Sequence, residues 1–284
     1  MSSAAEGRTP GLSVTALYTS ATWAWGKLPG AELLDHPDAQ RVFGVTNLVL
    51  GAVRAVRRGA PSLPHSLIQR HLMIDALLAE SEHLRVLELA AGLSRRCVTL
   101  SSDARIICTE IDRSPVIARK RALLERSAEG RAVLARPNLR FIAADLGDFQ
   151  LGTLPADAVG SAAERLFVIA EGLLMYLRAP EQRRLWSDVH ALLAVRGGTF
   201  VFDLVPALEQ PPPGVIGRGL AWAMKRATSG VKFETDQRDR ATIARELEQL
   251  GFRVEVVEPR TAPARWKLPH HDVHTQQLVF VCRV

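Results

Sequence analysis

Acidic residues in this chain recur at the ends of short apolar runs, where carboxylates can serve a ligand lying across a sheet. The run Arg85-Val86-Leu87-Glu88-Leu89 leads into Ala90-Ala91-Gly92-Leu93-Ser94. Small residues after a strand let the main chain approach a ligand closely, and Glu88 would face that turn. A lone glycine here also fits an ordinary tight turn. A second run, Arg105 to Thr109, ends at Glu110 and Asp112. Either acid could accept hydrogen bonds from both ribose hydroxyls of a nucleoside, about 18 to 20 residues beyond Gly92, as a βαβ unit requires. A third, Leu139 to Ala144, stops at Asp145, where a carboxylate can accept from an adenine amino group and Leu146 can offer its main-chain NH. A fourth, Arg165 to Ala170, ends at Glu171. Any one of these acids could be a helix cap or a solvated turn. Acids at successive strand ends are harder to dismiss.

Such placements need a parallel sheet covered on both faces, and the periodicity supplies one. Helices are expected at 114–127 and at 180–194, the latter opening on Pro180 and stopping before Gly197-Gly198. Thr199 to Leu204 reads as a fifth strand. A Pro-rich loop follows at 209–214, then helices at 217–228 and 239–250, the latter stopped by Gly251. Phe252 to Val257 and Gln277 to Val281 have no helix between them and predict a closing antiparallel hairpin. Before residue 83 no stretch alternates as a strand does. Helical or irregular segments are expected at 13–34, 38–58 and 65–82, interrupted by Pro61-Ser62-Leu63-Pro64. The fold class is therefore α/β: a Rossmann-like sheet, mostly parallel with a C-terminal antiparallel hairpin, plus an N-terminal helical cap. The expected division is a tail at 1–12, a cap at 13–82 and a ligand-binding domain at 83–284, with an acceptor-pocket insertion around 205–235.

The glycines then discriminate between nucleotides. A nicotinamide dinucleotide needs the fuller G-x-G-x-x-G cradle for its diphosphate, and this turn offers only Gly92. S-adenosylmethionine carries no phosphate and needs no such cradle.

Three stretches also resemble the leucine carboxyl methyltransferase family: Val86-Leu87-Glu88-Leu89-Ala90-Ala91-Gly92-Leu93-Ser94, then Thr109-Glu110-Ile111-Asp112 leading to Ala118-Arg119-Lys120-Arg121-Ala122-Leu123-Leu124, and Glu171-Gly172-Leu173-Leu174-Met175-Tyr176-Leu177. The chain is most similar to the bacterial branch, which includes O-methyltransferases of polyketide and other secondary metabolism. The resemblance covers roughly residues 13 to 205. It implies a class I methyltransferase fold with a helical cap over the site, Gly92 at the methionine end of the cofactor and Asp112 at the ribose. It also implies Asp145 and Leu146 at the adenine, Glu171 near the cofactor's amino group, and Arg70 as the cap arginine that pairs with the cofactor carboxylate. An arginine fork suits a carboxylate. Glu110 remains an alternative ribose partner. Arg113-Ser114-Pro115 departs from the family's apolar-Pro-acidic run, and after residue 205 the pattern fades.

Composition narrows the remaining classes. The net charge of +6 comes from basic residues scattered over several segments, without the interleaved aromatics of a stacking platform, so a solvated basic surface is expected rather than nucleic-acid binding. The richest apolar run, Leu166 to Leu177, is too short to span a bilayer and contains Glu171; the first dozen residues read as a frayed tail rather than a signal peptide. Cys97, Cys108 and Cys282 match neither a disulfide framework nor a zinc pattern and suit a reducing cytoplasm. His270, His271, Asp272 and His274 match no metal-binding spacing, and no metal is expected. Tyr18, Trp23 and Trp25 either line an acceptor pocket or pack the cap, and Tyr176 either orients the acceptor or plugs the sheet edge.

Methyl transfer from a sulfonium is an in-line displacement that chiefly demands alignment and exclusion of water. A carboxylate acceptor, on a small metabolite or peptide terminus, is already ionised and needs no strong base, which agrees with the lack of an obvious catalytic dyad. A phenol or alcohol would need a base, and His71, His270, His271 and His274 are available. S-adenosylhomocysteine is the expected product. A protein that binds the cofactor without turnover is the third reading.

Overall fold

A computed structural model of the chain describes residues 14–56, 62–209, 236–269 and 277–284. The expected tail, the Pro-rich loop, the helix at 217–228, most of the acceptor-pocket insertion and the His270, His271, Asp272, His274 cluster lie outside the described residues.

Seven strands form one sheet: β1 (Arg85–Leu89), β2 (Ile107–Asp112), β3 (Leu139–Ala143), β4 (Leu166–Ala170), β5 (Gly198–Leu204), β6 (Arg253–Val257) and β7 (Leu278–Arg283). Their order is β3-β2-β1-β4-β5-β7-β6. Pairing is parallel from β3 through β5, and β7 runs antiparallel to both β5 and β6. The expected hairpin partners do pair, but β7 inserts between β5 and β6 instead of extending the edge. The strand order turns back between β1 and β4, which places the switch-point crevice at their carboxyl ends.

Alternation along the central strands divides the core in two. Leu166, Val168 and Ala170 of β4 join one cluster with Trp186, Val189 and Leu193 of α8 (Ala179–Ala194) and Ile243 and Leu247 of α9 (Arg240–Gln249). Phe167 and Ile169 face the other way, toward Met73, Ile74 and Leu77 of α3 (Leu63–Ser81) and Cys97 and Val98 of α4 (Arg96–Leu100). Successive side chains of a strand point to opposite faces, so a sheet covered on both needs the unbroken apolar runs of β4 and β5.

Helices α1 (Val14–Trp25) and α2 (Pro37–Val56) pack against the first half of α3 through Tyr18, Trp23, Leu28, Leu67 and Ile68. Helix α3 thus belongs to the cap at its start and covers the sheet at its end. Pro64 sits in its first turn, where a missing N–H costs nothing, so the proline that interrupts the sequence pattern starts the helix. The helix expected at 114–127 is α5 (Ser114–Leu124), ending slightly earlier, and a further helix not expected from the sequence, α6 (Ala128–Leu134), follows it, with the Ser127 hydroxyl accepting from Gly130 N at 2.9 Å as its cap.

Candidate active site

The turn after β1 has an unusual backbone. Ala90 and Gly92 both take left-handed conformations, with φ of 51° and 57°. Gly92 does so at no steric cost, whereas Ala90 is strained, a kind of strain that persists where surrounding structure holds it. A Cβ on Gly92 would lie 3.8 Å from the Cβ of Ala16, so the start of α1 roofs this turn. The cap is tied down nearby by Tyr176, whose hydroxyl donates to Thr15 Oγ1 at 2.9 Å.

Asp112 ends β2 and reaches back to the same turn. Its Oδ2 accepts from Gly92 N at 2.7 Å and its Oδ1 from Arg113 N at 2.7 Å. Burial raises its pKa, against the pull of those two amides. Each oxygen keeps lone-pair capacity for a further donor.

Glu110 is placed differently. Its side chain is fully buried, and its Oε2 accepts from Lys120 Nζ at 2.5 Å while that ammonium also donates to Ser94 O at 2.6 Å. Two residues earlier than Asp112 on the same strand, it points into the helix layer below the turn. Glu110 is therefore taken up inside the fold by Lys120, and its burial pushes its pKa up to about 7. Glu88 is likewise beneath the turn, 1% exposed, with its Oε1 accepting from Arg96 Nη1 at 2.6 Å. It supports the turn without opening onto it. Glu88, Cys97 and Glu110 offer ligand atoms within 4.8 Å of one another, but each carboxylate already holds a cation, which makes this an ion-paired core cluster.

Asp145 is exposed at the end of β3, its Oδ1 accepting from Gly147 N at 3.0 Å, and Leu146 is half-buried against the main core. Both stand on the side of the crevice formed by β2 and β3.

The opposite side is an ion network. Arg70, from α3, donates through Nε to Glu171 Oε1 at 2.9 Å and through Nη1 to Asp203 Oδ2 at 2.9 Å. Among the described residues no hydrogen bond falls on its Nη2, which lies beside Gly172. Glu171 Oε2 also accepts from Arg96 Nη2 at 2.7 Å and lies 2.9 Å from His71 Nδ1. Burial alone would raise the Glu171 pKa, but His71, Arg70 and Arg96 together hold it well below the usual carboxylate range. Arg96 extends the network to Glu88 and to Asp75, whose other oxygen pairs with Arg95.

His71 is fully buried, its ring stacked on Trp23 with centroids 4.2 Å apart. A histidine held there joins cap to sheet, and among the described residues its Nε2 is buried without a hydrogen-bond partner. Tyr18 and Trp23 are also buried packing residues, whereas Trp25 is 46% exposed and lines a separate cavity of about 240 Å³ with Phe43, Asn47 and His65. Cys97 and Cys108 are buried free thiols, as their apolar surroundings predict.

Asp203 is the residue that strand-end reasoning passed over. Its signal was present, since it is the one acid inside the apolar run Thr199 to Leu204.

A parallel sheet in this order, turned back between β1 and β4 and bearing acids at the ends of β1 to β5, has the fold of the class I methyltransferases. A solved methyltransferase structure from Thermobifida fusca superimposes with a TM-score of 0.61 at 18% identity, over 96% of this chain and 95% of that one. The model of the leucine carboxyl methyltransferase family matches residues 33–190, more than half of the chain, and the protein belongs to that family. A Mycolicibacterium paratuberculosis protein named as an S-adenosyl-L-methionine-dependent methyltransferase is 28% identical over 89% of this chain and 75% of its own. A similarly named protein of Mycobacterium sp. strain KMS is 36% identical over 122 residues, 43% of this chain; the match spans only 39% of that relative's length.

Proposed function

We propose that this protein is an S-adenosylmethionine-dependent O-methyltransferase whose acceptor is a carboxylate on a small secondary metabolite or a peptide terminus. The observation that carries the reading is Arg70, pinned by Glu171 and Asp203 at the ends of β4 and β5 with its Nη2 left over. That nitrogen suits the carboxylate of the cofactor's amino-acid moiety. Across the crevice, Asp112 would hold the ribose hydroxyls, while Asp145 and the Leu146 amide would meet the adenine. Glu171 would face the amino group.

The electrostatics fit a cationic ligand. Asp112 and Glu171 stand on opposite sides of the crevice, where they suit a ligand with positive charge on its sulfonium and amino group. S-adenosylmethionine supplies a methyl group on a sulfonium, made electrophilic by its positive charge. The chain's part is alignment and exclusion of water, and α1, held over Gly92 and by Tyr176, serves the second. An acceptor carboxylate needs no proton removed, so the reading asks no base of His71, which is buried under Trp23 against Glu171. No helix among the described residues is long and apolar enough to cross a membrane; with three free buried thiols, a cytoplasmic setting and a small-molecule or peptide partner, rather than nucleic acid, complete the reading.

The test is calorimetry with S-adenosylmethionine and S-adenosylhomocysteine, followed by an acceptor panel with the product treated with alkali. A methyl ester releases methanol under alkali and a methyl ether does not. Alkali-stable product alone would redirect the reading to hydroxyl acceptors. Absence of binding to the unaltered protein would end it.

A further inference from the structure

Asp203 is 1% exposed at the end of β5, and its two oxygens have two jobs. Oδ2 accepts from Arg70 Nη1 at 2.9 Å, and Oδ1 accepts from Gly172 N at 2.5 Å. Gly172 takes φ of 68°, and a Cβ placed on it would come within 3.6 Å of Arg70 Nη2. One carboxylate therefore grips both the arginine and the turn that flanks its remaining nitrogen.

A guanidinium is planar, and its donors leave in fixed directions. Glu171 takes Nε and Asp203 takes Nη1, so two acids from neighbouring strands pin the plane and settle where Nη2 points. Glu171 alone would leave the side chain free to swing about the Nε contact. Glu171 is also shared with Arg96 and His71, whereas among the described residues Asp203 has Arg70 as its only ion-pair partner.

We propose that Asp203 is a positioning residue for cofactor recognition: it aims Arg70 Nη2 at the cofactor carboxylate and sets the Glu171-Gly172 turn beside it. The inference rests on the assignment of Arg70 above. It makes β5, which touches neither ribose nor adenine, responsible for the amino-acid end of the ligand.

The discriminating probe is 5′-methylthioadenosine, which keeps the adenosine and sulfur of S-adenosylhomocysteine but lacks its amino-acid arm. Both ligands are titrated into the full-length protein, Asp203→Asn and Asp203→Glu, with thermal melts as a check on folding. Asp203→Asn is expected to weaken S-adenosylhomocysteine about tenfold, the scale of a hydrogen bond to a charged group, and to leave methylthioadenosine within about twofold. Equal loss of both ligands, or loss of neither, overturns the proposal.

Should Asp203→Asn fail to fold, the neutral pair Arg70→Met with Asp203→Asn is compared with Arg70→Met alone. The asparagine oxygen can still accept from Gly172 N, so once Arg70 is gone Asp203→Asn has little further to remove; an additional loss of S-adenosylhomocysteine affinity as large as that of Arg70→Met itself overturns the proposal. If the unaltered protein binds methylthioadenosine but S-adenosylhomocysteine no better, the Arg70 assignment falls and the inference with it. If it binds neither, the methyltransferase reading itself falls.

Discussion

Glu88 and Glu110 are register partners on adjacent parallel strands, and each carboxylate has its own cation, Arg96 at 2.6 Å and Lys120 at 2.5 Å. Two acids side by side in a dry interior repel. The strain falls on Glu110, whose pKa burial pushes from 4.5 up to about 7.

That shift fixes the sign of a pH effect. Between about pH 4.5 and 7 the folded protein holds a proton on Glu110 that the unfolded chain has released, so this group's contribution to stability falls as pH rises through the window. Glu110→Gln removes the titration. The melting temperature of the variant relative to the parent should therefore improve from pH 5 to about pH 7 and level off above it. A difference independent of pH would place the proton elsewhere.

Arg96 holds three carboxylates, those of Asp75, Glu88 and Glu171, with its side chain almost wholly buried. Removing one member of a buried ion set leaves its partners uncompensated, at a cost of about 3–5 kcal/mol. Arg96→Met should approach that loss in denaturant unfolding. A loss under about 1 kcal/mol would mean water reaches the network.

The turn after β1 supplies a paired test. Gly92→Ala puts a Cβ on a left-handed residue and should destabilise by about 1–2 kcal/mol, although the nearest atom, Ala16 Cβ, is 3.8 Å away. Ala90→Gly should be neutral or stabilising, because it relieves the same conformation. Equal losses from both changes would show that side-chain packing and not backbone conformation governs the turn.

Tyr176→Phe removes the hydroxyl that donates to Thr15 Oγ1, and one such hydrogen bond is worth about 0.5–1.5 kcal/mol. Amide exchange in α1 should accelerate while that in β4 does not. The acceptor KM should rise more than the cofactor dissociation constant. Unchanged exchange in α1 would mean that the cap is held by Tyr18 and Trp23 alone.

Much of this architecture is legible in the sequence because apolar runs and strand-end acids are local signals. β1 to β5 and the flanking helices α8 and α9 follow from periodicity, and the acids at the ends of β1 to β4 from position alone. Non-local facts are not legible. No local pattern distinguishes Glu110 from Asp112; only the ammonium of Lys120, one helix away, shows which acid is consumed inside. His71 reads as a free base until Trp23 is folded onto it. Asp203 is invisible as a partner of Arg70, because 133 residues separate them. The insertion of β7 between β5 and β6 is likewise a choice of neighbours that no strand announces.

That insertion bears on the order in which the protein becomes competent. Asp203 is the register partner of Val279, and β5 has β7 as its only neighbour on that side. While residues 278–283 are still being synthesised, β5 is an open edge and β6 has no partner. Asp203, which anchors Arg70, thus sits on a strand whose outer side is closed by β7, later in the chain than every other described strand. A nascent chain can pair β1 to β3, the strands that carry Glu88, Glu110 and Asp112, well before the β5 edge that carries Asp203 is closed.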